Sequence, residues 1–231
     1  MHIRLITAAK NTMFKYSLET ALQDAALYGK APFGLDTLRS DGLECTAQDY
    51  ALLHDGTHAL SVSNTGTYAL SAENGALRMT LLRTPAYCAH PIEGRRIMRQ
   101  DRFGEHMDQG ERQFGFQINA SEAAARLERV NTESLLLNQP PMALSFFPQG
   151  AGEKPAAGCV LDNPVVELSS LKRAFDGNGY TVRLYNPDLK AQRVHVRMPA
   201  FGAEFETSLQ PMEVQTYRVQ GGGAEACAIT E

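Results

Sequence analysis

Hydrophobic and polar positions alternate with a period of two through most of this chain. Leu77, Met79 and Leu81 alternate with Arg78, Thr80 and Leu82, and Thr84-Pro85 ends the run. Phe114, Phe116 and Ile118 alternate with Gln113, Gly115 and Gln117, and Val194, Val196 and Met198 with Arg193, His195 and Arg197. A period of two buries one side of a segment and wets the other, which is the mark of a strand. Turn signals punctuate these runs: Asp55-Gly56, Asn64-Thr-Gly66, Asn74-Gly75, Asp176-Gly-Asn-Gly179 and Asn186-Pro-Asp188. Gly, Asn and Asp accept the backbone conformations a tight turn demands. Short strands are expected over 59–62 and 67–71, with Tyr68 and Leu70 sharing a face of the second. More are expected over 165–168, 171–176, 180–186, 192–198, 204–207 and 213–219. Closely spaced strands without intervening helices predict antiparallel sheets in a sandwich and exclude a βαβ fold.

Four stretches depart from this pattern. Residues 17–27 have helical composition, with Leu18, Leu22, Ala25 and Ala26 near one face, yet Ile3, Leu5, Phe14 and Tyr16 would alternate in strands. Ser121-Glu-Ala-Ala-Ala-Arg-Leu-Glu-Arg-Val130 predicts one short helix near 121–131. Ser121 would cap it, Glu122 suits the positive end of its dipole, and Ala124, Leu127 and Val130 would face the sheet. Pro140-Pro141 forbids its continuation. Residues 148–158, rich in Gly, Pro and Ala, read as a flexible loop, and 221–231 as a loose tail.

The chain has 231 residues, enough for one large β-domain or two small ones. A net charge of -4 with scattered Lys and Arg argues against nucleic acid as a partner. No apolar run reaches the length of a membrane span, and the first ten residues lack the core of a signal peptide. Cys45, Cys88, Cys159 and Cys227 form no Cys-x-x-Cys pair, so reduced thiols in a cytoplasmic protein are expected.

Several segments resemble a known family. Leu52-Leu-His-Asp-Gly56, Leu77-Arg-Met-Thr-Leu-Leu-Arg-Thr-Pro85 and Asp108-Gln-Gly-Glu-Arg-Gln-Phe114 occur in an order similar to that of the C-terminal β-domain of family 38 glycoside hydrolases, the retaining α-mannosidases. Ala31-Pro-Phe-Gly34, Val182-Arg-Leu-Tyr-Asn-Pro187 and Pro211-Met-Glu-Val-Gln-Thr-Tyr217 extend the resemblance from about Tyr28 onward. It implies a large supersandwich of the galactose mutarotase type. It also implies a catalytic domain upstream that holds zinc, an Asp nucleophile and an Asp general acid, the carboxylate pair a retaining mechanism needs. No catalytic residue, metal or cofactor is then expected here. The partners would be that upstream domain of the same polypeptide and a mannoside substrate.

On this resemblance, strands are favoured over 3–7 and 13–18. Residues 1–30 become the N-terminal segment of the β-domain, cut short at its start. Residues 31–148 form the main sandwich, and 159–220 its further strands or a small second β-subdomain. The long segment between strands, residues 86–109, is expected to face the catalytic domain. Substrate-cleft or interdomain candidates are Arg83, Tyr87, His90, Arg95, Arg96, Asp108 and Gln109, because sugars are held by polar groups beside an aromatic face. Alternatively, Arg83 and Asp108 form a strand-end ion pair and Tyr87 is half in the core.

His54, His58, His90 and His106 with Asp55 and Asp108 invite a metal reading. Asp55-Gly56 makes a turn of the His-x-x-x-His spacing, however, and solvated turn histidines are expected. Asn119-Ala-Ser121 matches a glycosylation acceptor, but capping accounts for Ser121. Two other functions fit a β-sandwich: a stand-alone carbohydrate-binding module, weakened by the lack of Trp, or a mutarotase-type epimerase using His90 with Glu105 or Glu111.

Overall fold

The computed structural model describes residues 2–5, 12–84, 110–144, 152 and 155–230. The chain is mainly β, with antiparallel sheets and one helix, as expected of a β-sandwich protein. It divides into two units, Met1–Lys30 with Asp36–Arg126, and Ala31–Leu35 with Leu127–Glu231.

The first eleven strands in chain order are β1 (His2–Leu5), β2 (Met13–Glu19), β3 (Ala26–Ala31), β4 (Gly34–Leu38), β5 (Cys45–Thr46), β6 (Gln48–His54), β7 (His58–Asn64), β8 (Ala69–Glu73), β9 (Ala76–Arg83), β10 (Gly110–Gln113) and β11 (Phe116–Glu122). They form sheets of order β2-β9-β8-β5 and β11-β7-β6-β3-β4, with β1 and β10 paired separately. Leu27, Ala51, Leu53 and Val62 from one sheet bury against Leu70, Ala72, Leu77 and Met79 from the other. Each large side chain so buried contributes about 1.5–3 kcal/mol, and this shared core holds the two sheets together.

The period of two fails at two places, each for a local reason. In β9, Leu77 and Met79 are buried, but the next buried leucine is Leu82, not Leu81. The register with β2 passes from Phe14↔Leu82 to Lys15↔Thr80, so Leu81 is an extra residue in a bulge that reverses the alternation. In β11, Ile118 is paired with Val62 yet remains 40% exposed. It lies on an edge strand of its sheet. Tyr68 precedes β8 and is exposed, whereas Leu70 within it is buried, so the two do not share a face.

The helix, α1 (Ala123–Asn138), starts later and runs longer than the sequence predicts. Ser121 and Glu122 belong to β11, paired with Ala59 and His58, and the Ser121 hydroxyl donates to the Glu122 carbonyl instead of capping an amide. Strand pairing overrides the local capping signal, as tertiary context routinely does. The buried stripe is Ala123, Arg126, Val130, Asn131 and Ser134, while Ala124 is exposed.

The second unit contains β12 (Val160–Leu161), β13 (Glu167–Arg173), β14 (Tyr180–Tyr185), β15 (Gln192–Met198), β16 (Ala203–Leu209), β17 (Val214–Gln220) and β18 (Gly223–Cys227). Sheets β12-β15-β16 and β13-β14-β17-β18 share a core of Val166, Val182, Leu184, Val194, Val196, Met198, Leu209 and Val219. The strands expected at 165–168 and 171–176 are one strand, β13, bulged between Leu168 and Ser170. The glycines read as the start of a loose tail, Gly221 and Gly222, adopt φ of 60° and 83° and turn the chain into β18, which pairs along β17.

Candidate functional site

Of the seven residues the sequence singles out for a cleft, the structure places one. Arg83 is the exposed last residue of β9, opposite Met13. Tyr87, His90, Arg95, Arg96, Asp108 and Gln109 lie outside the described residues, as do Cys88, Glu105, His106 and the whole of 86–109.

The His54–His58 turn is occupied by its own backbone. The Asp55 carboxylate accepts hydrogen bonds from the amides of Thr57 (2.8 Å) and His58 (2.7 Å). Those amides, His58's first, hold the Asp55 carboxyl below the usual carboxylate range. His54 Nδ1 accepts from the Gly56 amide at 3.2 Å, and its ring stacks on Tyr28 with centroids 4.9 Å apart. Among the described residues no group of three or more His, Cys, Asp or Glu is arranged to hold a metal ion. Burial raises the pKa of the Cys45 and Cys159 thiols, which keeps them protonated and poor nucleophiles.

On the outer side of the sheet containing β2, Lys15 Nζ donates to Ser71 Oγ at 2.8 Å and lies 3.6 Å from Glu44 Oε1, which also accepts from Thr80 Oγ1. Ser71 is fully buried and Thr80 nearly so. The four side chains satisfy one another, which suits a structural network.

Two of the motifs behind the family resemblance meet in space. Asn186, fully buried after β14, donates from Nδ2 to the carbonyls of Lys190 (2.8 Å), Leu209 (3.2 Å) and Gln210 (2.8 Å). Its Oδ1 accepts from the Asp188 amide at 3.0 Å, and its own amide donates to the Glu213 carbonyl at 3.0 Å. Asn186-Pro and Pro211-Met-Glu-Val therefore form one joint that sets the β14–β17 pairing. Beside it, the Tyr185 ring meets Phe33 of Ala31-Pro-Phe-Gly34 edge-on at 5.4 Å. Burial, then the Glu167 charge, pushes the Tyr185 phenol up to about 12. These motif residues do structural work.

Two open cavities lie side by side at one end of the first unit, separated by the loop after β2. The first, about 440 Å³, is lined mainly by polar groups, among them Gln23, Asp24, Ser40, Glu73 and Asn74. The second, about 460 Å³, is lined by Thr20, Ala21, Leu22, Ala59, Leu60 and Ala120, with Asp55, His58 and Ser121 also on its wall. Sequence reading did not find them, because their walls come from separate turns that share no local pattern. The nearest signal was the Asn74-Gly75 turn itself.

No protein-family model matches the chain, and no curated protein matches it in sequence. Solved structures do share its fold. A protein of glycosyl hydrolase family 38 from Enterococcus faecalis superposes with a TM-score of 0.74 at 14% identity, over 93% of this chain and 27% of its own. An alpha-mannosidase from Enterococcus faecalis V583 gives a TM-score of 0.72 at 14% identity, over 91% of this chain and 26% of its own. The chain thus spans about a quarter of the length of these neighbours, and its fold is that of one part of family 38 glycosyl hydrolase structures.

Proposed function

We propose that this chain is the β-domain of a family 38 α-mannosidase, a module that packs on a zinc-dependent catalytic domain and completes its cleft. The observation that carries the reading is the fold shared over 93% of this chain with a family 38 protein of which it covers only 27%. The ordered motifs of the sequence, from Ala31-Pro-Phe-Gly34 to Pro211–Tyr217, support it independently. The substrate class is an α-mannoside, hydrolysed with retention in glycan breakdown. The zinc and both carboxylates belong to the catalytic domain, and the protein works in the cytoplasm.

Within this reading Arg83, Tyr87, His90, Arg95, Arg96, Asp108 and Gln109 belong to the surface that meets the catalytic domain or the sugar. Long polar connections on a β-scaffold are where binding residues concentrate. The test is hydrolysis of an aryl α-mannoside. The chain alone should be inactive, and the full gene product should be active and lose activity to a zinc chelator. Arg95→Ala with Arg96→Ala should change the stability of the chain by less than about 0.5 kcal/mol and weaken turnover in the full product. Turnover by the isolated chain, lost on substituting one of its own carboxylates, would overturn the proposal.

A further inference from the structure

We propose that the paired cavities around the β2–β3 loop form a carbohydrate-binding site, separate from the cleft described above. The polar cavity takes one sugar ring and the apolar groove supports the next. Four observations carry this.

The first is size and lining. Both cavities fall within the roughly 300–1,000 Å³ range of small-molecule sites. The polar one combines the carboxylates of Asp24 and Glu73 with the amide of Asn74 and the hydroxyl of Ser40, above a small apolar wall of the partly exposed Leu22 and Ala25. Acceptors and donors side by side match the vicinal hydroxyls of a sugar, and the apolar wall matches its C–H face.

The second is availability. The side chains of Asp24, Ser40 and Asn74 have no hydrogen-bond partner among the described residues. Glu73 is shared with Arg78, whose guanidinium lies 3.4 Å from its carboxylate, which leaves Asp24 as the unpaired carboxylate of the cavity, and among the described residues no three metal-ligating groups gather there.

The third is rigidity. Thr20 clamps the dividing loop to the β8–β9 turn: its amide (3.1 Å) and hydroxyl (2.6 Å) both donate to the Gly75 carbonyl. A Cβ on Gly75 would stand 2.6 Å from the Leu22 carbonyl, so the two loops are packed backbone to backbone. Asp24 and Asn74 adopt left-handed conformations, φ of 48° and 50°, on either side of the cavity. A site held in shape before binding loses less entropy when it is filled.

The fourth is place. Leu22 lines both cavities, so a ligand of two linked sugars can cross the loop there. β9 starts at Ala76 beside the polar cavity and ends seven residues later at Arg83. At about 3.3 Å per residue, the new site and the cleft candidate Arg83 are on the order of 25 Å apart. It would hold a glycan away from the point of cleavage.

The choice of a mannoside as probe rests on the α-mannosidase reading. The test is titration of the ¹⁵N-labelled chain with α-linked mannobiose, following amide shifts. Saturable shifts confined to Gln23, Asp24, Ser40, Asn74, Gly75 and His58 are expected. Glu73→Gln and Asp24→Asn should each weaken binding about tenfold, the worth of one charge-assisted hydrogen bond. Both keep the shape of the side chain, and Asn tolerates the left-handed backbone at position 24. Ser40→Tyr, at an exposed position, should fill the cavity and abolish the shifts while leaving the thermal midpoint unchanged. The proposal is overturned by an absence of saturable shifts at tens of millimolar sugar. It is overturned equally by shifts elsewhere, or by affinity that survives all three substitutions. Binding needs no catalytic domain, so an inactive full-length product would sink the α-mannosidase reading and leave this result intact.

Discussion

Replacing Asn186 tests the joint between β14 and β17. Its amide group serves three carbonyls, and its oxygen serves one amide. Asn186→Ala leaves all four without that partner. The Leu209 carbonyl and the Asp188 amide are reached through buried bonds, and each costs about 1–3 kcal/mol when left unmet. The Lys190 and Gln210 carbonyls make part-buried bonds, and water can replace the partner at roughly half a kcal/mol each. The total is on the order of 3–7 kcal/mol, a large share of the 5–15 kcal/mol that holds a typical domain. For a chain of this size it lowers the thermal midpoint by on the order of 10 °C.

Asn186→Asp sharpens the test. A carboxylate would face three carbonyl oxygens, and only its protonated form could donate to one. The aspartate pKa is then raised in the folded state. Its stability contribution is present below the unfolded pKa of about 4 and lost as pH rises through the folded value. The Asp variant should therefore be less stable than the Ala variant at neutral pH and recover on acidification. Urea unfolding followed by circular dichroism across pH measures both. An Asp variant within about 0.5 kcal/mol of wild type at neutral pH would refute the joint.

Three further outcomes can be checked. Tyr185 has its phenol raised to about 12 by burial, so it favours the folded state below pH 10 and loses that contribution as pH climbs toward 12; burial raises the Tyr217 phenol as well, and tyrosinate absorbance should show a late-titrating component that Tyr185→Phe reduces by one tyrosine. Gly29→Ala would put a Cβ 2.7 Å from that of Ala47 and against Leu38, an overpacking worth about 1–3 kcal/mol, which chemical denaturation would report. The Thr84 hydroxyl accepts from the Thr12 amide at 3.0 Å in a fully buried position, so Thr84→Val should cost about 1–2 kcal/mol and speed hydrogen exchange at Thr12.

The sandwich was legible because alternation and turn residues are local. Val194, Val196 and Met198 are buried as the pattern requires, and Asn74-Gly75 turns the chain between β8 and β9. What escaped the sequence depends on a second strand. Leu81 loses its place because β2 and β9 differ by one residue across the bulge, and Ser121 stays extended because β7 pairs with it. The helix continues past Val130 through Asn131 and Ser134, polar residues that no apolar stripe would have included and that are buried all the same. The site was less legible than the fold. Asp24, Ser40 and Asn74 are neighbours only after folding, and each alone reads as an ordinary turn residue.

The hairpin into β18 also guards the protein against itself. Through Thr216–Gln220, the outer row of β17 backbone groups is covered by Gly223–Cys227, and Arg183 ties the following segment down through the Ile229 carbonyl. β18 is a poor template in its place, short and carrying Glu225 at its middle. Cut the chain after Gln220, and a seven-residue strand with Val214 and Val219 becomes the open margin of its sheet. Such a margin recruits its own kind. The shortened protein should fold and then self-associate as its concentration rises, a change sedimentation would register. Five residues at the far edge thus decide whether the sheet stays solitary.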